Sequence, residues 1–397
     1  MEVEAGHSFL KGQKYNYFQY ANMGFVLGIM CRLGRKCTFA ASMNDSMVNC
    51  KTLISKLEET NLLEKEEFVE LIAQHSEEDA RFLFERARAV RERFFGKSVY
   101  LRGLIEISNY CANDCYYCGI RRGNASVERY RLTEEDILCC CEEGYRLGFR
   151  TFVMQGGEDA HFTDELLVRL IREIKNRYPD CAVTLSLGER TRERYQKYYD
   201  AGADRYLLRH ETANAQHYAQ LHPAWMSHER RIQCLWDLKE IGYQVGTGFM
   251  VGSPYQTPEY LAEDMLFIKK LQPQMVGIGP FVPHHATPFA NEAGGTAELT
   301  LFMLGLLRLM MPELLLPSTT ALGTIDKTGR EKGLLAGANV VMPNLSPVSV
   351  RKKYDLYDNK ICTGDESAQC VNCLGVRIAT TGYQVEVARG DAPDWRR

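Results

Sequence analysis

Three cysteines stand close together in Cys111-Ala-Asn-Asp-Cys115-Tyr-Tyr-Cys118, a C-x3-C-x2-C spacing with Tyr117 directly before the third thiol. Three close thiolates suit a soft metal or an iron–sulfur cluster. A structural zinc site wants four ligands, usually as two pairs. No fourth cysteine lies nearby to supply one, and Cys139, Cys140 and Cys141 are consecutive, so one helix cannot aim all three at a metal. On a cube of four irons, three thiolates leave one iron open. That iron can chelate a small molecule through an amine and a carboxylate. Three buried loop cysteines are the bland alternative.

Other residue types point the same way. Gln155-Gly156-Gly157-Glu158 follows an apolar run, and two glycines at a strand end let backbone approach a ligand closely; a plain turn is the alternative. Arg209-His210-Glu211 ends another apolar run. Strand alternation turns Arg209 and Glu211 one way and His210 the other, so His210 reads as structural. A carboxylate at Glu211 can accept both hydroxyls of a ribose. Arg231 suits a carboxylate partner, or else a surface. Thr184 and Ser186 share a strand face and are further pocket candidates. Pro317-Ser318-Thr319-Thr320 offers hydroxyls and backbone N–H groups to an anion, or else a helix cap. Met342 offers a soft wall, or else core. Tyr354 and Tyr357 precede Cys362 and could cover the pocket. The adjacent His284 and His285 cannot easily share one metal and read as loop surface. Cys31, Cys37, Cys50, Cys181 and Cys234, with the consecutive three, read as small core residues or surface thiols.

These groups need a frame to hold them. From Leu101 onward, short apolar runs alternate with amphipathic ones. Strands are expected over 101–108, 151–155, 182–187, 205–209, 244–251, 275–279, 314–318 and 339–342. Helices are expected near 133–147, 163–177, 191–201, 228–241, 257–271, 296–311 and 328–336. Alternation of this kind predicts an α/β chain with a parallel sheet, and eight repeats fit a closed (β/α)8 TIM-type barrel. Chemistry then belongs at the C-terminal ends of the strands, where the motifs fall. Before the barrel, residues 51–98 read as N-terminal helices, with a start at Ser76-Glu77-Glu78-Asp79. Arg86, Arg88, Arg91 and Arg93 read there as a solvated face. The division is 1–50 extension, 51–98 helices, 99–345 barrel and 346–397 a C-terminal segment with its own cysteines. The first fifty residues have no acidic residue between Glu4 and Asp45 and no clean period. They read as a poorly ordered extension, a start misplaced ahead of Met43 or Met47, or an organelle presequence.

Composition narrows the classes. The chain has 397 residues, 45% hydrophobic and 25% charged, which excludes bulk disorder. With 48 basic and 51 acidic residues, net charge −3, there is no global electrostatic case for nucleic acid or an anionic membrane. No apolar run reaches the roughly 18–20 residues that span a bilayer. Fourteen cysteines without a convincing secretion signal read as reduced thiols and ligands, hence a cytoplasmic protein.

The cysteine triplet, the glycine pair and Glu211 together resemble the radical S-adenosylmethionine (SAM) superfamily. The stretches 102–111, 117–121, 183–189, 201–214, 275–284 and 338–344 resemble one family within its biotin synthase-like branch. That family is the E maturase of [FeFe]-hydrogenase, and the resemblance covers roughly residues 85–385. It implies a [4Fe-4S] cluster with an open iron on Cys111, Cys115 and Cys118. It implies SAM bound among Tyr117, Gln155, Gly156, Gly157, Ser186, Arg209, Glu211 and Arg231. Reductive cleavage of SAM would give a 5′-deoxyadenosyl radical, which attacks an iron–dicarbonyl–cyanide–cysteine precursor during H-cluster assembly. Thr319 and Thr320 match the family's anion-binding stretch, with Met342, Tyr354 and Tyr357 as further substrate candidates. Cys362, Cys370 and Cys373 would hold a second, accessory [2Fe-2S] or [4Fe-4S] cluster. The implied partners are a tyrosine-cleaving radical SAM maturase, a GTPase scaffold and a one-electron donor. Methylornithine synthase and biotin synthase share the barrel and triplet and stay as alternatives, as does a non-catalytic iron–sulfur carrier.

Overall fold

The computed structural model describes residues 49–361, 363 and 370–396. The expected extension therefore lies almost wholly outside the described residues, as does Cys362.

Among the described residues, three helices lead in: Cys50–Thr60, Lys65–Gln74 and Glu77–Phe95. The last starts where the sequence reading put it. The Ser76 hydroxyl accepts from the Asp79 amide, and Asp79 caps Ser76 in return. Apolar side chains at Leu53, Leu57, Phe68, Leu71 and Ile72 are buried. Arg91 is fully buried, not on a solvated face; it donates to the Gly96 carbonyl at 2.6 Å and stacks over Tyr383 at 3.7 Å.

The barrel strands are short. The first expected strand is broken at Arg102 into β1 (Ser98–Leu101) and β2 (Gly103–Ser108). There follow β3 (Thr151–Gly156), β4 (Ala182–Ser186), β5 (Arg205–Leu207), β6 (Gln244–Thr247), β7 (Met250–Val251), β8 (Met275–Val276), β9 (Gly279–Pro280), β10 (Val340–Val341) and β11 (Gln384–Glu386). The main sheet runs β2-β3-β4-β5-β6-β8, every pairing parallel. Isolated bridges close it: Met275 to Leu315, Pro317 to Val340 and Leu104 to Asn344, while β10 also pairs with β1. The expected strand at 314–318 is present only as those bridges. Six of the crossover helices begin on a hydroxyl cap, at Thr133, Thr163, Thr191, Ser227, Thr257 and Thr296, close to the expected boundaries; the seventh, Gly329–Leu335, follows Thr328 without a side-chain cap bond. Three shorter helices among the described residues were not anticipated, Ala215–Leu221, Val348–Arg351 and Val371–Ala379, while Thr320–Ile325 follows the cap weighed at Pro317–Thr320. Their few turns carry too little period to read.

Side chains in register face the same side of a parallel sheet. Glu106, Gln155 and Ser186 are aligned near the C-terminal ends of β2, β3 and β4. Thr184, Arg205 and Gln244 are aligned deeper. Arg205 is buried, and a buried charge needs a partner. The C-terminal segment brings one to the N-terminal end of the barrel: Asp391 lies 2.5 Å from Arg205 and accepts from Gln244 at 2.6 Å. Arg389 adds a contact to Asp204 at 3.0 Å. Burial alone would raise the Asp391 carboxyl, but Arg205, Arg389 and Gln244 hold it down to about 2.

A carboxyl depressed in the folded state stabilises it above the ordinary carboxyl range, and that contribution disappears as pH falls through the folded value. Asp391→Asn should therefore cost about 2 kcal/mol near neutral pH. The gap from wild type should shrink between about pH 4 and pH 2. Urea midpoints across that range check it, and a gap independent of pH would contradict the ion-pair account.

Candidate functional site

The site is built at the C-terminal end of β2. The Ser108 hydroxyl donates to Asp159 at 2.7 Å and accepts from the Tyr110 amide at 3.1 Å, which sets the exit of the strand. The cysteine loop is then fixed to its surroundings. Ala112 N donates to the Glu158 carbonyl at 2.9 Å, Arg122 N to the Asn113 carbonyl at 2.8 Å, and Arg121 pairs with Asp114 at 2.7 Å. Arg129 threads the loop, donating to the carbonyls of Ile120 at 2.8 Å and Arg121 at 2.7 Å. The Cys111 sulfur accepts from the amides of Asn113 and Glu158, each at 3.4 Å.

The glycine pair is needed by that loop. A Cβ on Gly157 would stand 2.2 Å from the Tyr110 carbonyl oxygen and 2.7 Å from the Cys111 Cβ. No side chain fits there without moving the first cysteine.

All three cysteines line one cavity of about 320 Å3 at the mouth of the barrel. Each residue expected to hold SAM lines it too: Tyr117, Gln155, Gly156, Gly157, Ser186, Arg209, Glu211 and Arg231. Thr319, Tyr354 and Tyr357 complete the wall. Three expected residues lie elsewhere. Thr184 sits deeper, in the layer with Arg205. Thr320 lies outside the lining, its hydroxyl accepting from Arg330 at 3.1 Å. Met342 lies outside the cavity lining, partly buried against a cluster of Phe95, Met275, Leu315 and Val340. Thr319 serves both readings, since it lines the cavity and also caps the helix Thr320–Ile325.

Burial, followed by mutual repulsion, pushes the thiols up: Cys118 to about 12 and Cys115 well above its ordinary value. Three soft donors converging on a cavity, held off ionisation until a cation arrives, form a donor set suited to an iron–sulfur cluster. The carboxylate side of the cavity has unmet polar atoms. Oε2 of Glu211 is buried and 3.3 Å from Arg209 Nη2 without forming a hydrogen bond, and Arg209 Nε has no partner among the described residues. Such atoms await a polar ligand. Glu211 also holds a left-handed backbone, φ 67°, pinned by its amide on the Gly248 carbonyl at 3.1 Å. Backbone strain of this kind persists only where the surroundings enforce it. Arg231 is buried, not on the surface, and lies 2.9 Å from Glu189.

His210 is structural as expected, although the strand stops at Leu207 and not at Arg209, so alternation is not what turns it inward. It is fully buried between Thr247 at 2.8 Å and Asp264 at 3.2 Å, and burial lowers it to about 3. His284 corrects the reading: it is buried, not loop surface. It lies with His285 and Asp358, their ligating atoms within 4.8 Å. Yet its Nδ1 accepts from the Ala286 amide at 3.0 Å, so Nε2 carries the proton toward Asp355 at 3.2 Å. Both nitrogens are thus engaged. Sequence reasoning missed His222, whose Nε2 lies 3.1 Å from the Tyr117 hydroxyl; no spacing marks it. Cys370 and Cys373 are joined to each other at the start of the helix Val371–Ala379. Among the described residues, no helix is long and apolar enough to cross a membrane.

Residues 105–268 match the Radical SAM superfamily, so the barrel and its cysteine loop are those of a radical SAM enzyme, a class that implies a [4Fe-4S] cluster and SAM. The [FeFe] hydrogenase maturase subunit HydE of Thermotoga maritima is 46% identical over 300 residues, 76% of this chain and 85% of that protein. The chain belongs to the HydE maturase family. The 3-methylornithine synthase of Methanosarcina acetivorans is 29% identical over 76% of this chain and 85% of its own. A crystal structure of methylornithine synthase has a TM-score of 0.74 at 26% identity, covering 84% of this chain and 97% of that one.

Because Gly157 abuts the first cysteine, Gly157→Ala should lower iron per chain after anaerobic reconstitution by roughly half or more, with the helical circular dichroism retained. Full iron loading would show that the loop can shift without losing its ligands.

Proposed function

We propose that this protein cleaves SAM reductively to a 5′-deoxyadenosyl radical and uses it on an iron–dicarbonyl–cyanide–cysteine complex, in assembly of the di-iron subcluster of [FeFe]-hydrogenase. The observation that carries this reading is the single cavity that gathers the cysteine triplet, the expected SAM residues and the Thr319–Tyr354–Tyr357 wall. Family membership supports the maturation context.

Cys111, Cys115 and Cys118 would hold the cluster, which supplies one electron to the sulfonium when bound. The carbonyls of the Gln155–Gly157 turn take the SAM amino group, and Arg231 and Arg209 offer charge to its carboxylate. Glu211 accepts the ribose hydroxyls, filling the unmet capacity of its buried oxygen. Tyr117, tethered by His222, and Ser186 complete that side. Thr319 presents a hydroxyl to an anionic complex, with Tyr354 and Tyr357 excluding water. Thr320 and Met342 have no part in the wall. Cys362, Cys370 and Cys373 hold an accessory cluster once the disulfide is reduced. A tyrosine-cleaving radical SAM maturase supplies the complex, a GTPase scaffold receives the product, and a cytoplasmic one-electron donor drives the cycle. Neither nucleic acid nor membrane takes part.

A second reading, methylornithine synthesis from lysine, draws support from the synthase likeness. Anaerobic incubation with dithionite and SAM, given either the complex or lysine, separates the two. Consumption of the complex with lysine untouched is expected; turnover of lysine alone would reverse the assignment. An iron–sulfur carrier would make no 5′-deoxyadenosine at all.

Cys115→Ala should abolish 5′-deoxyadenosine formation while the barrel stays folded, because the loop sits on the rim and outside the packed layers. Glu211→Ala removes an acceptor for two hydroxyls, each worth about 0.5–1.5 kcal/mol, so SAM affinity should fall roughly tenfold at unchanged iron content. Equilibrium SAM binding to both holoproteins decides the ribose role.

A further inference from the structure

One buried ion pair is unused by the chemistry above. Glu106, on β2, is 1% exposed and stands in register with Gln155 of β3. Lys360 reaches it from the C-terminal segment, donating to Glu106 Oε1 at 2.6 Å. The same ammonium donates to the Tyr354 carbonyl at 2.7 Å and lies 4.7 Å from the centre of the Tyr354 ring. The Tyr354 hydroxyl accepts from Gln155 Nε2 at 3.3 Å. Asn344 donates to the other Glu106 oxygen at 2.8 Å. Glu106, Lys360, Tyr354 and Gln155 thus form a chain of side-chain contacts whose two ends stand on paired strands, and it fixes the tyrosine by its carbonyl, its face and its hydroxyl.

A buried ion pair contributes little net stability, since desolvation cancels most of the attraction. What it does supply is a single permitted geometry, because neither charge tolerates losing the other. Here the fixed object is an aromatic wall of the cavity. We propose that Glu106 and Lys360 are positioning residues that clamp Tyr354 and so set the fit of the small-molecule substrate, while SAM binding is left to the other residues. This rests on the reading of the cavity as a chamber for SAM plus a second small molecule.

The test uses the full chain. Hydrogen exchange of the segment 353–361, before and after cluster reconstitution, reports the clamp without turnover. Kinetics of the holoenzyme with the synthetic iron–dicarbonyl–cyanide–cysteine complex report the fit. Lys360→Met should speed exchange in that segment roughly tenfold and raise KM for the complex roughly tenfold, with kcat and SAM affinity within about twofold. Lys360→Arg should restore both. If Lys360→Met does not fold, the pair Glu106→Gln/Lys360→Met, which leaves no buried charge unpaired, carries the same expectation. Unchanged exchange overturns the clamp. Loosened exchange with unchanged KM overturns its role in substrate fit. Exchange raised throughout the barrel, with no rescue by arginine, makes the pair merely structural. If the wild type leaves the complex untouched, the substrate reading falls separately, and the exchange result still decides the clamp.

Discussion

The close approach of the Gly157 turn to Cys111 governs the rest of the site. Two loops leaving neighbouring parallel strands must touch backbone to side chain, and a methyl group there would meet a carbonyl oxygen at 2.2 Å. That contact sets where the first thiol stands. The amide of Glu158, next in the turn, reaches the same sulfur at 3.4 Å. The strand register behind it, Glu106 opposite Gln155 opposite Ser186, then determines which side chains face the cavity beneath the cysteines. A one-residue slip would turn that polar set out of the barrel and bring apolar neighbours in.

Polar groups inside a barrel are costly unless matched, and this fold matches them from its ends. Near the mouth, Glu106 meets Lys360 and Asn344; at the opposite end, Arg205 meets Asp391. Both Lys360 and Asp391 come from the chain that follows the last barrel strand. The C-terminal segment is therefore an electrostatic part of the barrel as well as a carrier of cysteines. It also ties down the rim, since Gly119 donates to the Leu356 carbonyl at 2.9 Å and Asp358 to the Pro283 carbonyl at 3.1 Å. The loop that bears the triplet and the segment that covers the cavity thus hold each other.

The cavity walls divide the chemistry. Thiols pushed up by burial and by one another lie in the same chamber as two arginines and a strained glutamate. Excluding water strengthens each of these electrostatic contacts. His210 and His284 stand near this chamber with their nitrogens committed to neighbouring groups, which separates structural histidines from candidate ligands.

Much of this was legible in the sequence. The C-x3-C-x2-C spacing and the glycine pair are local patterns that residue type and spacing alone reveal, whereas Arg209 and Glu211 reach one wall by a turn beyond the strand end at Leu207, not by the alternation expected of them. Most crossover helices were legible because they bury one face at a helical period behind a hydroxyl cap, while Ala297–Met310 is buried nearly all round and showed itself by length and its cap. The run 314–318 was legible as apolar even though only bridges hold it in the sheet. Other features depended on pairs remote in sequence. That Thr184 lies below the cavity and Met342 against a core cluster follows from register and packing, which no local pattern encodes. Arg91 reads locally as a solvated charge, yet its guanidinium reaches the Ala338 carbonyl, far along the chain, in the interior; Arg231, a carboxylate partner or else a surface charge by sequence, is buried beside Glu189. Glu106 is a lone acid in an apolar strand, and its partner lies 254 positions away. Sequence alone determined which chemistry the chain can hold, since that depends on residue type and short spacing. Tertiary structure decided which charges are buried, because the partner that makes burial affordable is brought in only by the closed barrel.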